Sequence, residues 1–426
     1  MEIALFAIVF FVMLFMNIPI AMSMCLSSVF YLLLTGDMFM ISITAPRFFA
    51  GMNSFSMLAI PLFILSGDLL CSGKASRLLI DMANSMVGHF RGGLSSVTTV
   101  ACMFFGAVSG SGAATASAIG SVVAPESERS GYDKSFIAGI IASAGPLGIL
   151  IPPSIPMVVY GAATDTSIGA LLLSGIGPGV LFGLMIIAYG YWVSSKRNYG
   201  GVSSFEWSHV LTSSRKAFWA LLTPVIIVGG IYSGIFTPTE AAAVAAVYSM
   251  IVGLFIYRTL RFRDLPAIFL KSAVSSAAIM FVVGGVVLFG WVLVREQIPQ
   301  NLTKMILANV SSPIVFLLIA DAVILVAGML MDPSPAIILF APLLLPAAHA
   351  FNIDPIYFGA LMVTNLAIGL VTPPVALTLY VSSRICEVSM TKLIKQVVPI
   401  ICMLVVGLLL LTFIPQIAMF IPTLLM

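Results

Sequence analysis

The chain has 426 residues, of which 60% are apolar and only 8% are charged. A soluble domain has roughly 25% charged residues, because polar side chains must cover its outer surface. The composition therefore excludes a soluble fold. The net charge of +3 does not indicate a nucleic-acid partner, since the basic residues lie at the ends of apolar segments.

Apolar runs of about 20 residues are long enough to cross the hydrocarbon core of a membrane. They recur along the chain and predict helices at 3–34, 55–73, 135–164, 167–194, 218–236, 240–257, 272–294, 355–382 and 397–422. The first run is interpreted as a retained helix kinked at Asn17 and Pro19, because it lacks the basic start and the cleavage site of a signal peptide. The five cysteines lack C-x-x-C spacing and indicate neither a disulfide framework nor a metal site. We expect an all-α polytopic membrane protein.

The basic residues predict the orientation of the chain, because Lys and Arg concentrate in cytoplasmic loops. All 19 except Arg47, Arg295 and Lys304 can be cytoplasmic if the apolar stretches 92–125 and 313–348 each enter and leave the membrane on one side. Both stretches are then re-entrant helical hairpins, and they open on opposite sides. The N-terminus is predicted to be cytoplasmic and the C-terminus periplasmic.

Each predicted hairpin has helix-breaking residues at its centre. These residues are Ser109-Gly110-Ser111-Gly112 in the first hairpin and Asp332-Pro333-Ser334-Pro335 in the second. Irregular backbone at membrane depth is tolerated only where protein or water satisfies its polar groups, so such tips indicate a functional cavity. The alternative for 109–112 is a face of small residues for helix packing.

The sequence also repeats itself. Gly148-x-x-x-Pro152-Pro153 matches Gly369-x-x-x-Pro373-Pro374 at a separation of 221 positions, and Asp133 matches Asp354 at the same separation. Each Pro-Pro pair interrupts a long predicted helix, 135–164 or 355–382. Because the two units have opposite predicted orientations, they indicate the inverted-repeat plan of many secondary transporters.

The Pro-Pro pairs predict two cation sites. They remove backbone donors, so carbonyls of the preceding turn lose their helical partners. Such carbonyls are costly in hydrocarbon, whereas a small hard cation binds them well. Each site is predicted to combine a hairpin tip with a broken helix, mostly through carbonyl oxygens. The first comprises Ser109, Ser111, Gly148, Ile151 and Pro153, and the second comprises Met331, Asp332, Pro333, Gly369, Thr372 and Pro374. The alternative is that the proline pairs only kink the helices for packing.

An anionic substrate is predicted between the tips, because helix N-termini there present free N–H groups and positive dipole ends. The predicted substrate residues are Ser109, Ser111, Arg295, Asp332 and Ser334. Arg295 ends an apolar run and can hold a carboxylate through paired hydrogen bonds, or it can snorkel to the interface or pair with Glu296.

Asp321 shares a helix face with Asp332. It therefore marks an ion or substrate route, or it packs against a polar neighbour.

Four strings in the chain resemble the signatures of the large membrane subunit of TRAP transporters, the DctM-like family. They are Gly234-Ile-Phe-Thr-Pro-Thr-Glu-Ala-Ala-Ala-Val-Ala, Gly106-Ala-Val-Ser-Gly-Ser-Gly-Ala-Ala-Thr-Ala, Gly148-Ile-Leu-Ile-Pro-Pro-Ser and Gly369-Leu-Val-Thr-Pro-Pro. The first string also contains a capping box, Thr237 to Glu240, that starts a helix. The resemblance covers essentially the whole chain. It implies an elevator-type transporter of the bacterial inner membrane that couples sodium entry, through about two sodium sites, to carboxylate uptake.

The resemblance also implies partners. These are a separate small four-helix membrane subunit, a periplasmic substrate-binding protein and surrounding membrane lipid. The substrate is expected to be a sialic acid or a C4-dicarboxylate-like acid, with the sialic-acid type favoured. We expect scaffold helices at 1–91 and 201–312 and two transport-domain repeats at 92–200 and 313–426.

Other function classes were weighed against this interpretation. A stand-alone sodium–dicarboxylate symporter of similar hairpin architecture would work without the two protein partners. A membrane-embedded enzyme would need catalytic groups, and the sequence has no H-E-x-x-H, paired-Asp or Ser–His motif, so neither enzyme activity nor an organic cofactor is expected. A proton-pumping subunit would have Lys and Glu inside its spans, which here are nearly free of lysine.

Overall fold

The computed structural model describes residues 2–16, 18–36, 38–71, 75–201 and 205–425. Within these ranges the regular secondary structure is helical, as predicted, and seven helical segments are long and apolar enough to cross a membrane. Asn17, predicted at a kink, and Lys74, counted among the cytoplasmic basic residues, lie outside the described residues.

The helices, numbered in chain order, are α1 (Glu2–Phe15), α2 (Ile20–Leu34), α3 (Met38–Met52), α4 (Ala59–Cys71), α5 (Ala75–Val87), α6 (Gly93–Ser109), α7 (Gly112–Arg129), α8 (Lys134–Ala144), α9 (Ile155–Thr164), α10 (Ile168–Ser174), α11 (Ile176–Lys196), α12 (Trp207–Tyr232), α13 (Pro238–Ile251), α14 (Leu265–Arg295), α15 (Ile298–Asn309), α16 (Pro313–Leu330), α17 (Pro333–Ala350), α18 (Pro355–Gly369), α19 (Leu377–Ile385), α20 (Met390–Phe413) and α21 (Gln416–Leu425).

The first apolar run forms two helices, so the prediction of one kinked helix is wrong. The ring of Phe6 in α1 lies 5.4 Å from the ring of Tyr31 in α2, which shows that the helices fold back side by side. Pro19 disfavours a helical conformation at the residue before it, and α2 starts only after it. The last run, 397–422, is likewise divided at Ile414 and Pro415 into α20 and α21.

Helices α2, α3 and α13 pack around α4 and α14. Helix α13 packs along α4, and α14 packs against α2, α3 and α4. The predicted capping box at the start of α13 is confirmed, because Thr237 Oγ1 accepts a hydrogen bond from Glu240 N (3.3 Å) and Glu240 Oε2 accepts one from Thr237 N (2.8 Å). Three helices were not predicted from hydropathy: α3, α5 and α15.

The predicted breaks at both hairpin tips are confirmed as turns between packed helices, α6 with α7 and α16 with α17. Gly110 adopts a φ of +64°, a conformation that L side chains rarely adopt, so glycine is favoured at this tip. The second tip needs no glycine, because Met331 and Asp332 are extended and Pro333 takes the first helical position of α17.

The predicted interruptions at the Pro-Pro pairs are also confirmed. Helix α8 passes through a 3₁₀ turn (Gly145–Ile149) and a non-helical segment, 150–154, before α9 begins. Helix α18 gives way to the non-helical segment 370–376 before α19. Asp133 and Asp354, matched by the repeat, both cap their helices by accepting hydrogen bonds from backbone N–H groups.

The two repeats exchange their second half-helices. Helix α9, from the first repeat, packs against α17 of the second, and α19, from the second repeat, packs against α7 and α8 of the first. The side chains of the broken helices are among the most buried of the molecule, including Phe136, Ile141, Phe358 and Met362. The core therefore lies where the repeats interlock.

Candidate substrate and cation site

The first hairpin tip and the first broken helix meet at glycines. A Cβ built on Gly106 would lie 2.6 Å from Gly148 Cα, and a Cβ built on Gly110 would lie 2.8 Å from Pro153 O. A Cβ on Gly148 would lie 2.9 Å from Ser111 O. These separations leave no room for a larger residue without a backbone shift. The structure thus brings the tip residues Ser109 and Ser111 against Gly148 and Pro153.

Oxygen atoms converge at this junction. Ser109 Oγ and Thr115 Oγ1 are 2.9 Å apart, and Thr115 Oγ1 donates a hydrogen bond to Ser111 O at 2.7 Å. Thr115, one turn into α7, was not predicted, although its hydroxyl lies on the same helix face as Ser111. Ile151 directs its side chain toward Gly179 of α11, so only its main chain is available to this junction.

One carbonyl in each break is satisfied by a hydroxyl of the chain itself. Ser154 Oγ donates to Ile149 O at 2.5 Å, and Thr378 Oγ1 donates to Leu370 O at 2.8 Å. Ile149 and Leu370 are separated by the same 221 positions as the glycines of the repeat. The Pro-Pro pairs therefore leave fewer carbonyls for a cation than the sequence argument assumed. Gly148 O is the clearest, because the residue four positions later is Pro152 and has no N–H.

The second tip meets the second broken helix in the same way. A Cβ on Gly369 would lie 2.7 Å from Gly328 O, and Val375 N donates to Met329 O at 3.2 Å. Of the predicted second-site residues, Met331, Asp332 and Pro333 lie on this tip, and Gly369, Thr372 and Pro374 lie on or beside the break.

Two groups of the second site have partners within the chain. Asp332 caps α17 by accepting from Ser334 N at 3.3 Å, and Thr372 Oγ1 donates to Ile368 O at 2.7 Å. Thr372 N also donates to Gly369 O at 3.0 Å. The two junctions are therefore similar in backbone path but differ in how their oxygen atoms are used.

A cavity of about 490 Å³ separates the first tip from α4 and α14. Its polar lining comes from both sides: Ser109, Ser111, Ser117 and Ser121 on one, and Asp68, Lys271 and Ser275 on the other. Helix α4 closes one end, because a Cβ on Gly67 would lie 3.3 Å from Ser109 Cα. The cavity thus places hydroxyl groups opposite a lysine.

The lysine is held by a carboxylate on the neighbouring helix. Lys271 Nζ donates to Asp68 Oδ1 at 2.6 Å, and Ser272 Oγ donates to Asp68 Oδ2 at 2.8 Å. Both residues line the cavity, and the side chain of Lys271 is 66% exposed whereas that of Asp68 is 15% exposed. The sequence analysis assigned Lys271 to a cytoplasmic cluster and missed this pair. An acidic residue inside the apolar run 55–73 was the available signal.

The structure does not bring Arg295 to this cavity. Arg295 ends α14, and its Nε lies 3.9 Å from Glu296 Oε1 with 32% of its side chain exposed, so the predicted pairing with Glu296 is present. Lys271 and Arg295 are about 36 Å apart along the axis of α14. Of the other predicted substrate residues, Asp332 is exposed at the second tip and Ser334 is buried there.

Asp321 does have polar neighbours. It is buried between α16, α18 and α20, where Asn365 and Thr412 donate hydrogen bonds to it.

Comparison with known proteins gives consistent matches over the whole length. The family model described as "Tripartite ATP-independent periplasmic transporter, DctM component" matches residues 7–417. A C4-dicarboxylate TRAP transporter large permease protein DctM of Pseudomonas aeruginosa is 45% identical over 378 residues, covering 89% of this chain and 88% of that protein. The sialic acid TRAP transporter large permease protein SiaM of Vibrio cholerae is 35% identical over 412 residues, covering 97% and 96%. An isethionate TRAP transporter permease protein DctMQ of Oleidesulfovibrio alaskensis is 39% identical over 96% of this chain and 65% of its own length.

Proposed function

Because the chain belongs to the family of the DctM component of tripartite ATP-independent periplasmic transporters, we propose that it couples sodium entry to the import of a carboxylate substrate. The observation that carries this proposal is the cavity in which Lys271 faces the hydroxyl groups of Ser109 and Ser111. A lysine ammonium attracts a carboxylate, and the oxygen-rich tip beside it suits a small cation. Cation and anion would then bind next to each other, which is what coupled transport requires.

The proposed sodium sites are the two junctions between tip and broken helix. The first would use the hydroxyl groups of Ser109 and Ser111 with main-chain oxygens of Gly148, Ile151 and Pro153. The second would use Met331, Asp332, Pro333, Gly369, Thr372 and Pro374. The close glycine contacts at both junctions support this assignment, because they let carbonyl groups approach without intervening side chains.

The proposed movement is that of an elevator. Helices α6 to α11 and α16 to α21 would move as one body, because each repeat packs its second half-helix against the other. Helices α1 to α5 and α12 to α15 would form the scaffold. The surface between the two bodies runs through the cavity, where Gly67 of α4 passes close to Ser109.

The proposed orientation follows the basic residues. The fold-back of α1 on α2 and the additional helix α3 together add two passes to the one predicted for 3–34. The later basic clusters then stay cytoplasmic, and so does the N-terminus. With Lys271 on this side, the cavity would open toward the cytoplasm, and the structure would represent an inward-facing state of a protein of the bacterial inner membrane.

The proposed substrate is a small dicarboxylate. Relatives of 45% and 41% identity are named C4-dicarboxylate transporters, whereas the sialic-acid relative from Vibrio cholerae is 35% identical. A sialic acid is the second candidate, since its carboxylate would make the same contact with Lys271. Arg295 and Ser334 would meet the substrate in the outward-facing state, near Asp332.

The test is sodium-driven uptake into liposomes by the transporter reconstituted with its partner proteins. Replacing both tip hydroxyls, by Ser109→Ala with Ser111→Ala, is expected to raise the half-saturating sodium concentration about a hundredfold or more, because charge-assisted contacts contribute roughly 1.5–3 kcal/mol each. Uptake of labelled succinate is expected to exceed uptake of labelled sialic acid.

Ser389→Ala is the matched control, because Ser389 is exposed and makes no side-chain cap contact at the start of α20. Melting temperatures separate loss of sodium binding from loss of the cap that Ser111 provides to α7. Uptake driven equally well by a proton gradient without sodium would contradict the proposal.

A further inference from the structure

A buried carboxyl group lies outside both proposed sodium sites. Asp321 occupies the middle of α16 and is only 5% exposed. Helices α18 and α20 pack over it. An ionised carboxylate at such a position is strongly unfavourable unless a cation or several hydrogen-bond donors compensate its charge.

The donors that reach Asp321 are neutral side chains. Thr412 Oγ1 lies 2.7 Å from Oδ2, and Asn365 Nδ2 lies 3.2 Å from Oδ1 and 2.8 Å from the main-chain oxygen of Asp321. The amide orientation of Asn365 follows from these contacts, since its nitrogen faces two oxygen atoms that can only accept.

No lysine, arginine or histidine of the described residues forms an ion pair with Asp321. The titratable groups on the helices packed around it are Tyr357 at the start of α18, Asp332 and Asp354 at helix caps, exposed His349 near the end of α17, and Lys392, Lys395 and exposed Cys402 in α20. The Tyr357 hydroxyl oxygen lies 3.1 Å from Leu411 O and 3.0 Å from Thr412 O, so its one hydrogen is directed at these main-chain oxygens. The two lysines lie about 25 Å or more from Thr412 along α20. A positive partner for Asp321 is therefore lacking in this part of the chain.

The side chains around Asp321 also have too few donor hydrogen atoms to satisfy every acceptor if Asp321 is ionised. Thr412 has one hydroxyl hydrogen, but its Oγ1 lies within hydrogen-bond distance of two acceptors, Asp321 Oδ2 (2.7 Å) and Leu408 O (2.9 Å). Asn365 Oδ1 is buried without a partner within the described structure. A proton on Asp321 Oδ2 supplies the hydrogen atom that Thr412 lacks. The new O–H donates to Thr412 Oγ1, and the Thr412 hydroxyl turns to donate to Leu408 O.

We infer that Asp321, Asn365 and Thr412 form a proton-binding site, in which Asp321 is a neutral carboxylic acid. The bond formed is Oδ2–H, and no other group changes its charge. The site is separate from the proposed sodium sites and does not depend on them. Because α16 belongs to the body that is proposed to move, a neutral acid keeps that helix uncharged within the membrane.

Infrared difference spectroscopy of the purified transporter at neutral pH tests this inference. The wild-type protein is expected to show the carbonyl band of a protonated carboxylic acid, and Asp321→Asn is expected to remove it. Asparagine keeps both contacts, because its NH₂ group takes the place of the acid O–H and its oxygen accepts from Asn365. Thr412→Val, which removes the acceptor, is expected to shift the same band.

Asp81→Asn serves as the control, because it removes a carboxylate from the exposed face of α5 and is expected to leave the band unchanged. If neither Asp321→Asn nor Thr412→Val alters an acid band, Asp321 is ionised and the inference is wrong. A second test measures the number of sodium ions bound by the wild-type protein and by Asp321→Asn. If Asp321→Asn reduces the number of bound sodium ions, a metal cation occupies the cluster instead of a proton. An unchanged number supports the proton site.

Discussion

At the scale of single residues, α14 has a base at each end. Lys271 lies beside the cavity and is paired with Asp68, whereas Arg295 lies beside Glu296 at the opposite end. Sequence reasoning could identify both bases but not their neighbours, because Asp68 and Lys271 are 203 positions apart and no local pattern links them. Ser109, Ser111 and Gly148 were predictable, since their residue types mark a break.

The two bases are expected to act on opposite sides of the membrane. Lys271→Gln removes the ammonium group of a residue that lines the cavity, so it should raise the half-saturating substrate concentration on the cytoplasmic side about tenfold. Solvent screens the exposed ammonium group, so we expect this change to lie near the lower end of the range for hydrogen bonds between charged groups. Arg295→Gln should instead raise the half-saturating concentration on the periplasmic side. Counterflow with labelled substrate on either side of oriented liposomes measures both values.

Lys395→Gln is the control for this pair, because Lys395 is exposed on α20 away from the cavity. Equal effects of Lys271→Gln on the two sides would rule out a contact restricted to one conformation. No effect of either substitution would assign substrate binding to backbone N–H groups of the tips.

At the scale of helices, the positions of the breaks were predictable, whereas the fold-back of α1 on α2 was not. Proline pairs and glycine–serine tips act locally, through missing N–H groups and a positive φ, so the sequence locates them. The turn between α1 and α2 contains no charged residue and interrupts no apolar run, so hydropathy could not separate the two helices. Helices α3, α5 and α15 were missed because polar residues, such as Arg47, Arg77 and Lys304, lower their mean hydropathy.

The contact between α4 and the first tip is expected to limit movement. A Cβ on Gly67 would already lie 3.3 Å from Ser109 Cα and O, so Gly67→Val should wedge the two apart. Overpacking of this kind typically costs about 1–3 kcal/mol, which corresponds to a roughly tenfold or larger loss of uptake rate if the strain falls on one conformation. Initial rates of sodium-driven uptake, normalised to the folded protein, provide the measurement.

Gly290→Val is a matched control, because a Cβ on Gly290 of α14 meets no atom within 4 Å. Equal uptake by the two valine variants would show that the contact between α4 and the tip does not limit transport.

At the scale of the whole molecule, a large part of the surface is apolar. Trp207, Leu211 and Phe262 are among the exposed large side chains, and many more lie along α1, α12 and α14. Lipid covers such surfaces in a membrane protein, and so does a membrane partner. The broken helices α8 and α18, by contrast, bury their side chains almost completely.

The chain is expected to copurify with a small four-helix membrane subunit and to need a periplasmic binding protein for uptake. Affinity purification from cells that express the neighbouring genes tests the first expectation. Reconstitution with each component left out tests the second, with a loss of uptake expected when the binding protein is omitted. Full uptake of free substrate by this chain alone would instead identify a stand-alone sodium–dicarboxylate symporter.

The short helices at the N-terminus have a consequence for the surrounding bilayer. Helices α1, α2 and α3 contain 14, 15 and 15 residues, so each is about 21–23 Å long. The hydrocarbon layer is about 30 Å thick, and lipids beside a shorter apolar surface must thin to match it. Acyl-chain length would then act on this transporter as a mechanical load: a thicker bilayer must be compressed further beside the N-terminal helices, at a larger energetic cost, and a thinner one lowers that cost.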